Sequence, residues 1–138
     1  MRYLISILAL VILASCSGSG STNYSAVMSA VDNNTGKVFV LRDTGFNGGG
    51  ALMTVTLNGM SLGKIGNGET TSGNVNTGTN YIEASFGGLA GVGMNSAPAS
   101  FEGSKNQNNY FIVKLTVGAF KNRLQIFEVN EAAFKASF

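Results

Sequence analysis

Short apolar runs alternate with stretches of glycine, asparagine, serine and threonine along most of the chain, a pattern that is typical of many short β-strands. The clearest case is segment 80–86, where Ile82, Ala84 and Phe86 form one apolar face of a strand. Strands are predicted at 37–42, 51–57, 60–65, 80–86, 109–116 and 123–129, with weaker ones at 70–75 and 99–103.

Three local signals refine this series. The apolar centre of the segment KVFVLR at 37–42 is continuous, which predicts a strand covered on both faces. Asn58 and Gly59 predict a tight hairpin, because a type I′ turn requires positive φ at both central residues. Near the C-terminus, Asn130 is predicted to cap a short helix over 131–138, with Glu131 in the first turn as the helix dipole favours.

Seven or eight short strands without a strong crossover helix predict an all-β fold, an antiparallel β-sandwich with a short C-terminal helix. The folded unit is expected to span 36–138, which is long enough for one domain and too short for two. A transmembrane barrel ending in the aromatic Phe138 is the main alternative. Barrel strands need about 9–11 residues, however, and the predicted strands are shorter.

The N-terminus combines one basic residue, Arg2, with an apolar run over 4–13. This run is shorter than the about 20 residues of a transmembrane helix and fits the about 7–15 of a signal-peptide core. It ends in Leu13, Ala14 and Ser15 before Cys16, and this order resembles the lipobox of bacterial lipoprotein signals. The thiol is the group that receives the lipid, and the small residues let the signal peptidase reach the bond before it.

The predicted organisation is therefore a lipoprotein signal peptide at 1–15, a flexible tether at 16–35 that begins at lipidated Cys16, and a β-sandwich domain at 36–138. Ser17 stands where an aspartate would resemble an inner-membrane retention signal, so the expected location is the outer membrane, facing the periplasm. The alternatives are an ordinary signal peptide cut near Ala14 or Ser17, and an apolar helix with a chance cysteine.

Composition narrows the chemistry available to this domain. Without Arg2, eight of the nine basic residues remain against seven acidic ones, a balance that argues against nucleic-acid binding. Histidine is absent and cysteine occurs once, which excludes an imidazole base, an internal disulfide and a zinc site built from several cysteines. No cofactor and no metal are expected.

The order of the strand motifs also resembles a known family. The residues concerned are Val38, Phe39, Val40, Leu41 and Arg42, then Thr56, Leu57, Asn58, Gly59, Leu62, Gly63, Lys64 and Ile65, then Asn109, Tyr110, Phe111, Ile112 and Val113, then Gly118, Ala119 and Phe120, and finally Phe127, Glu128, Val129, Asn130 and Glu131. In this order the chain resembles the bacterial family described as domain of unknown function 2846, many of whose members are small predicted lipoproteins. The resemblance implies a fold and a location, and no activity.

Four residues are candidates for contact with a partner. Arg42 ends an apolar strand, where a structural ion pair is the first interpretation and an anion contact at the rim of the sandwich is the second. Phe120, Lys121 and Arg123 form a basic and aromatic turn. It is predicted to be a solvated hairpin tip or a contact for acidic glycans or lipid headgroups.

Two other features are interpreted as structural. The glycine clusters at 45–50 and 87–93 are predicted to be loops, because neither has the helix start and lysine of a phosphate loop. Glu83 and Glu128 lie on predicted strands that would allow a glycosidase-like carboxylate pair, and both are expected on solvent faces.

Two functional hypotheses follow. The first is a non-catalytic envelope lipoprotein that binds or braces another envelope component, either a protein or a glycan. The second is a periplasmic hydrolase, or an inhibitor of one, acting through loop carboxylates and hydroxyls. Two carboxylates on one face, or a loop at 87–109 that closes over a pocket, would favour the second.

Overall fold

The computed structural model describes residues 18–29, 35–45, 50–87, 94–118 and 122–138, which form eight strands and two short helices. The strands are β1 Lys37–Arg42, β2 Met53–Leu57, β3 Met60–Ile65, β4 Thr70–Asn74, β5 Gly78–Phe86, β6 Ala99–Gly103, β7 Asn108–Val117 and β8 Asn122–Val129, and the helices are α1 Tyr24–Ser29 and α2 Glu131–Lys135. Every predicted strand is present close to its predicted bounds. Asn130 caps α2 as predicted, since its Oδ1 accepts a hydrogen bond from Ala133 N at 2.8 Å.

The strands form two four-stranded sheets that pack face to face, which confirms the predicted β-sandwich. Sheet A has the order β4-β1-β7-β8, and sheet B has the order β3-β2-β5-β6. Neighbouring strands are antiparallel except β1 and β7, which run parallel with Phe39 opposite Tyr110. Sheet A is therefore mixed at this position. Between β1 and β7 the chain forms β2 and β3 of sheet B, β4 of sheet A, and then β5 and β6 of sheet B.

Apolar residues from both sheets fill the space between them. On β5, Ile82, Ala84 and Phe86 are all buried, as the alternation predicts. Phe111 of sheet A packs against Phe101 of sheet B with ring centroids 5.1 Å apart. These contacts join the two inner faces into one core.

Both helices cover the outer face of sheet A. Phe39 on β1 and Tyr110 on β7 stack with centroids 5.5 Å apart, and Phe134 of α2 lies 6.4 Å and 5.1 Å from these two rings. Val27 of α1 is buried in the same cluster. This cover confirms the prediction for β1, whose continuous apolar run is buried on both faces.

The β2–β3 connection forms one end of the sandwich, called here the hairpin end. Asn58 has φ of 50° and Gly59 has φ of 80°, so both central residues of the turn have the positive φ that the sequence predicts. At the opposite end, called the Arg42 end, strands β1 and β3 finish and β4 begins.

A buried amide supports the hairpin end. Asn80 is fully buried, and its Oδ1 accepts hydrogen bonds from Asn58 Nδ2 at 2.9 Å and from Asn76 N at 3.2 Å. Its Nδ2 donates to Asn76 O and Gly78 O, each at 2.8 Å. A single side chain thus satisfies polar groups of the hairpin and of the chain that leads into β5.

Residues 18–21, called here the strap, close the edge of the sandwich between β3 and β4. Ser19 N donates to Lys64 O at 2.8 Å, and Ser21 and Thr70 exchange backbone hydrogen bonds of 3.0 Å and 2.8 Å. This arrangement differs from the flexible tether expected over 16–35, since residues 18–29 lie against the domain. Small polar residues are common in linkers, but their lack of bulk also lets a chain approach strand edges closely.

Candidate functional site

Arg42, a predicted surface contact, points into the sandwich. Its side chain is 4% exposed, and its guanidinium lies 4.8 Å from the centroid of the Phe86 ring. Its Nη1 donates hydrogen bonds to Ala51 O and, at 3.4 Å, to Ile65 O. A residue of sheet A therefore binds backbone carbonyls at the edge of sheet B, and the surface role predicted for Arg42 does not fit this position.

The electrostatic environment of Arg42 follows from its burial. Loss of hydration lowers the pKa of the Arg42 guanidinium from its ordinary value, and the attraction of the Glu69 carboxylate acts in the opposite direction. An ion pair lies beside Arg42 and joins other residues, since Lys114 Nζ lies 3.3 Å from Asp43 Oδ2. The ion pair predicted for Arg42 itself stays a prediction. Arg42 and this pair stabilise the end of the sandwich from inside and outside respectively.

A small cavity adjoins Arg42, with a volume of about 20 Å³. Phe86 and Val113 are among the residues that line it. A volume of this size accommodates about one water molecule. The cavity is a gap in the packing of the two sheets, with no room for a substrate.

A larger cleft lies at the opposite edge of the sandwich from the strap, between the segment 94–97 and the start of β8. Its volume is about 360 Å³, within the range of small-ligand sites. It is lined by Met94, Asn95, Ala97, Asn122, Arg123, Leu124 and Gln125. This cleft is the candidate binding site, since three amides and one guanidinium surround a small apolar floor.

The wall at 94–97 is held by hydrogen bonds to β5. Phe86 N donates to Met94 O at 3.1 Å, and Ser96 N donates to Ala84 O at 2.8 Å. The buried hydroxyl of Ser96 accepts a further bond from Ala84 N at 2.8 Å. These three hydrogen bonds continue the edge of sheet B beyond β6 and fix one side of the cleft.

The opposite wall comes from β8, the edge strand of sheet A. Arg123 lies opposite Thr116 and Leu124 lies opposite Leu115 in the β7–β8 ladder. Leu124 is buried in the core, whereas Arg123 and Gln125 are exposed. This alternation leaves polar side chains available to a partner while the strand itself is anchored.

Of the residues predicted to contact a partner, Arg123 is the one that lines the cleft. Phe120 and Lys121 lie outside the described residues, as do Leu13, Ala14, Ser15 and Cys16 and most of both glycine clusters. Sequence reasoning missed Asn95, Asn122 and Gln125. Amides occur throughout this chain, and only the fold brings position 95 beside position 122.

The structure does not assemble a carboxylate pair from Glu83 and Glu128. Glu83 lies on the outer face of sheet B, opposite Thr56, and Glu128 lies on β8 of sheet A. Both side chains are exposed, as predicted.

Within the described ranges, no group of three or more acidic, cysteine or histidine side chains is arranged to hold a metal ion. No helix in this same part of the chain is long and apolar enough to cross a bilayer.

The chain matches no protein-family model, no curated protein and no solved structure. Its resemblance to the family described as domain of unknown function 2846 therefore stays a prediction based on strand motifs.

Proposed function

We propose that this chain is a lipid-anchored bacterial envelope protein whose β-sandwich is a non-catalytic module that binds another envelope component. The observation that supports this most directly is the order Leu13, Ala14, Ser15, Cys16 after a short apolar run and a basic start. The resemblance to a family with many predicted lipoproteins supports the same proposal.

The anchor follows from the chemistry of the cysteine. Each buried methylene of an acyl chain contributes about 0.8 kcal/mol, so the two or three chains on a lipidated Cys16 hold a small domain at a bilayer. Ser17 in the following position supports an outer-membrane location, with the domain in the periplasm. The membrane is then the first partner of this protein.

The second partner is an envelope protein or glycan that binds in the cleft. The amides of Asn95, Asn122 and Gln125 both donate and accept hydrogen bonds, as recognition of sugar hydroxyls or peptide groups requires. Arg123 adds a permanent positive charge that favours a carboxylate. Such a site binds by matching polar groups and needs no catalytic residue.

Replacement of Cys16 tests the anchor. Cys16→Ala should leave a folded protein that lacks the lipid mass and keeps residues 1–15, because the lipoprotein signal peptidase cuts before a lipidated cysteine. Mass spectrometry measures both effects. The matched control is Ser15→Ala, which keeps a small residue before the cysteine and should remain lipidated. Absence of the lipid mass from the unsubstituted protein would contradict the proposal.

A photo-crosslinking residue tests the cleft. Placed at Gln125 in intact envelopes, it should give a discrete adduct, while the same residue at Glu83 on the outer face of sheet B should not. Arg123→Glu should reduce the Gln125 adduct about tenfold, since a charge-assisted hydrogen bond contributes about 1.5–3 kcal/mol. Identical adducts from both positions would show that the cleft has no special role.

A further inference from the structure

The strap holds the N-terminal part of the described chain against two strands at once. Ser19 N and Ser19 Oγ both donate to Lys64 O, at 2.8 Å and 3.1 Å, and Lys64 N donates to Ser19 Oγ at 3.3 Å. Two residues later, Ser21 pairs with Thr70 of β4 through two backbone bonds. The strap thus bonds to the edge strand of each sheet.

The glycines of the strap fit this position closely. A Cβ atom at Gly18 would lie 2.7 Å from Gly66 N and 2.9 Å from Lys64 O, and one at Gly20 would lie 2.9 Å from Thr70 O. Real Cβ atoms do not approach backbone this closely, so only glycine allows the strap to lie where it does. These glycines therefore allow the strap to pack closely against β3 and β4, although a segment rich in glycine and serine is also typical of a linker.

The strap leaves little free chain between the domain and Cys16. One residue, Ser17, lies between Gly18 and Cys16, and the two residue steps that join them span about 7 Å when fully extended. A flexible Gly/Ser tether over the whole of 16–35 would instead give a mean reach of about 25 Å. A lipid at Cys16 must therefore lie close to the place where the strap meets the domain, at the Arg42 end of the β3–β4 edge.

We infer that the strap orients the domain on the bilayer, with the Arg42 end of the β3–β4 edge facing the lipid headgroups. The inference rests on the proposed lipid anchor. The surface that faces the membrane comprises the turn 66–68, Thr44 beside it, and the exposed Lys64. Asn67 Nδ2 donates to Thr44 O at 3.2 Å, so the turn and Thr44 are in contact, and Lys64 lies two residues before the turn. A cationic Lys64 at this place is favourable next to anionic headgroups.

The lipid also makes the test simple, because it consumes the single cysteine of the chain. A cysteine introduced at Thr44→Cys or Met60→Cys is then the one free thiol for a fluorophore. Thr44 lies on the surface that faces the membrane, whereas Met60, 70% exposed, lies at the hairpin end. The length of β3 places these sites about 17 Å apart along the strand direction.

The experiment uses the lipidated full-length variants in vesicles of phosphatidylethanolamine and phosphatidylglycerol that contain a headgroup-attached quencher. We expect about threefold stronger quenching at Thr44 than at Met60, since contact quenching declines over the about 17 Å between them. Equal quenching in protein that has the lipid mass would overturn the orientation and leave the anchor intact. Absence of the lipid mass would overturn the anchor, and the orientation with it.

Strap variants provide the matched control. Gly18→Val combined with Gly20→Val should bring the quenching ratio close to one while the lipid mass and the strand signal in circular dichroism remain. Ser19→Pro, which removes the N–H that bonds to Lys64 O, should have the same effect with a smaller change in packing. A ratio that stays near three in both folded variants would show that the strap does not set the orientation.

Discussion

Asn80→Asp should destabilise the domain by about 3–5 kcal/mol at neutral pH, the cost of leaving a buried charge without compensation. The substitution keeps the shape of the side chain and replaces its two donors by an acceptor. Asn76 O and Gly78 O, each 2.8 Å from the present Nδ2, would then face a carboxylate oxygen. Because Asn80 is fully buried, water cannot relieve this repulsion.

The same substitution should make stability depend on pH. Burial and the two carbonyls raise the folded-state pKa of the new carboxyl above the about 3.9 of an unfolded chain. The loss is then fully present above the folded-state pKa and diminishes as the pH falls towards about 3.9, where the protonated acid donates one hydrogen bond.

Urea unfolding followed by circular dichroism measures this effect, since the chain has no tryptophan. The matched control is Asn74→Asp on β4, where the side chain is exposed and the change should be within about 0.5 kcal/mol. A loss at position 80 that is the same at pH 4 and pH 7 would show that the buried hydrogen bonds are not its cause.

Phe134→Ala should cost about 3–5 kcal/mol and release both helices from sheet A. Phe134 is fully buried and packs on Phe39 and Tyr110, so its removal leaves a cavity over the centre of the sheet. The side chain also contacts Phe138, whose ring packs edge to face with that of Tyr24 on α1. Loss of α2 therefore removes part of the support for α1.

Thermal unfolding and proteolysis measure this prediction. A loss of this size in a domain of about 100 residues lowers Tm by at least about 12 °C. The control is Phe138→Ala, which deletes the same side chain where it is 42% exposed and should cost about 1 kcal/mol. Equal losses from the two variants would mean that burial of Phe134 on the sheet is not what holds α2.

Local signals predicted the strands of this fold well because each signal lies within a few residues. Alternation at Ile82, Ala84 and Phe86 identified the inner face of β5, and the Asn58–Gly59 pair identified the hairpin. The unbroken apolar run of β1 even predicted cover on both faces. Of the two helices that cover its second face, α2 was predicted and α1 was not. With six residues, α1 is too short to show a helical period.

Features that depend on pairing across long distances in sequence were missed. Nothing in residues 37–42 indicates that β1 runs parallel to β7, and nothing near Arg42 indicates that its donors meet the carbonyls of Ala51 and Ile65. The strap is a similar case, because glycine and serine are equally typical of a free linker and of a closely packed strand edge. The cleft was missed for the same reason, as its two walls come from segments that meet only in the folded sheets.

The parallel pairing of β1 with β7 also affects how early this domain can fold. β1 pairs with β4 and with β7. In these two ladders Lys37 lies opposite Asn74 and Asn108, which are distant in the sequence. The first apolar strand of the domain therefore has no complete set of neighbours until most of the chain is available. Closing such distant contacts is slow, because the entropy of the intervening loop must be lost first. Slow closure of these contacts delays folding, and a delay of this kind favours the export of an unfolded chain that the proposed signal peptide would direct.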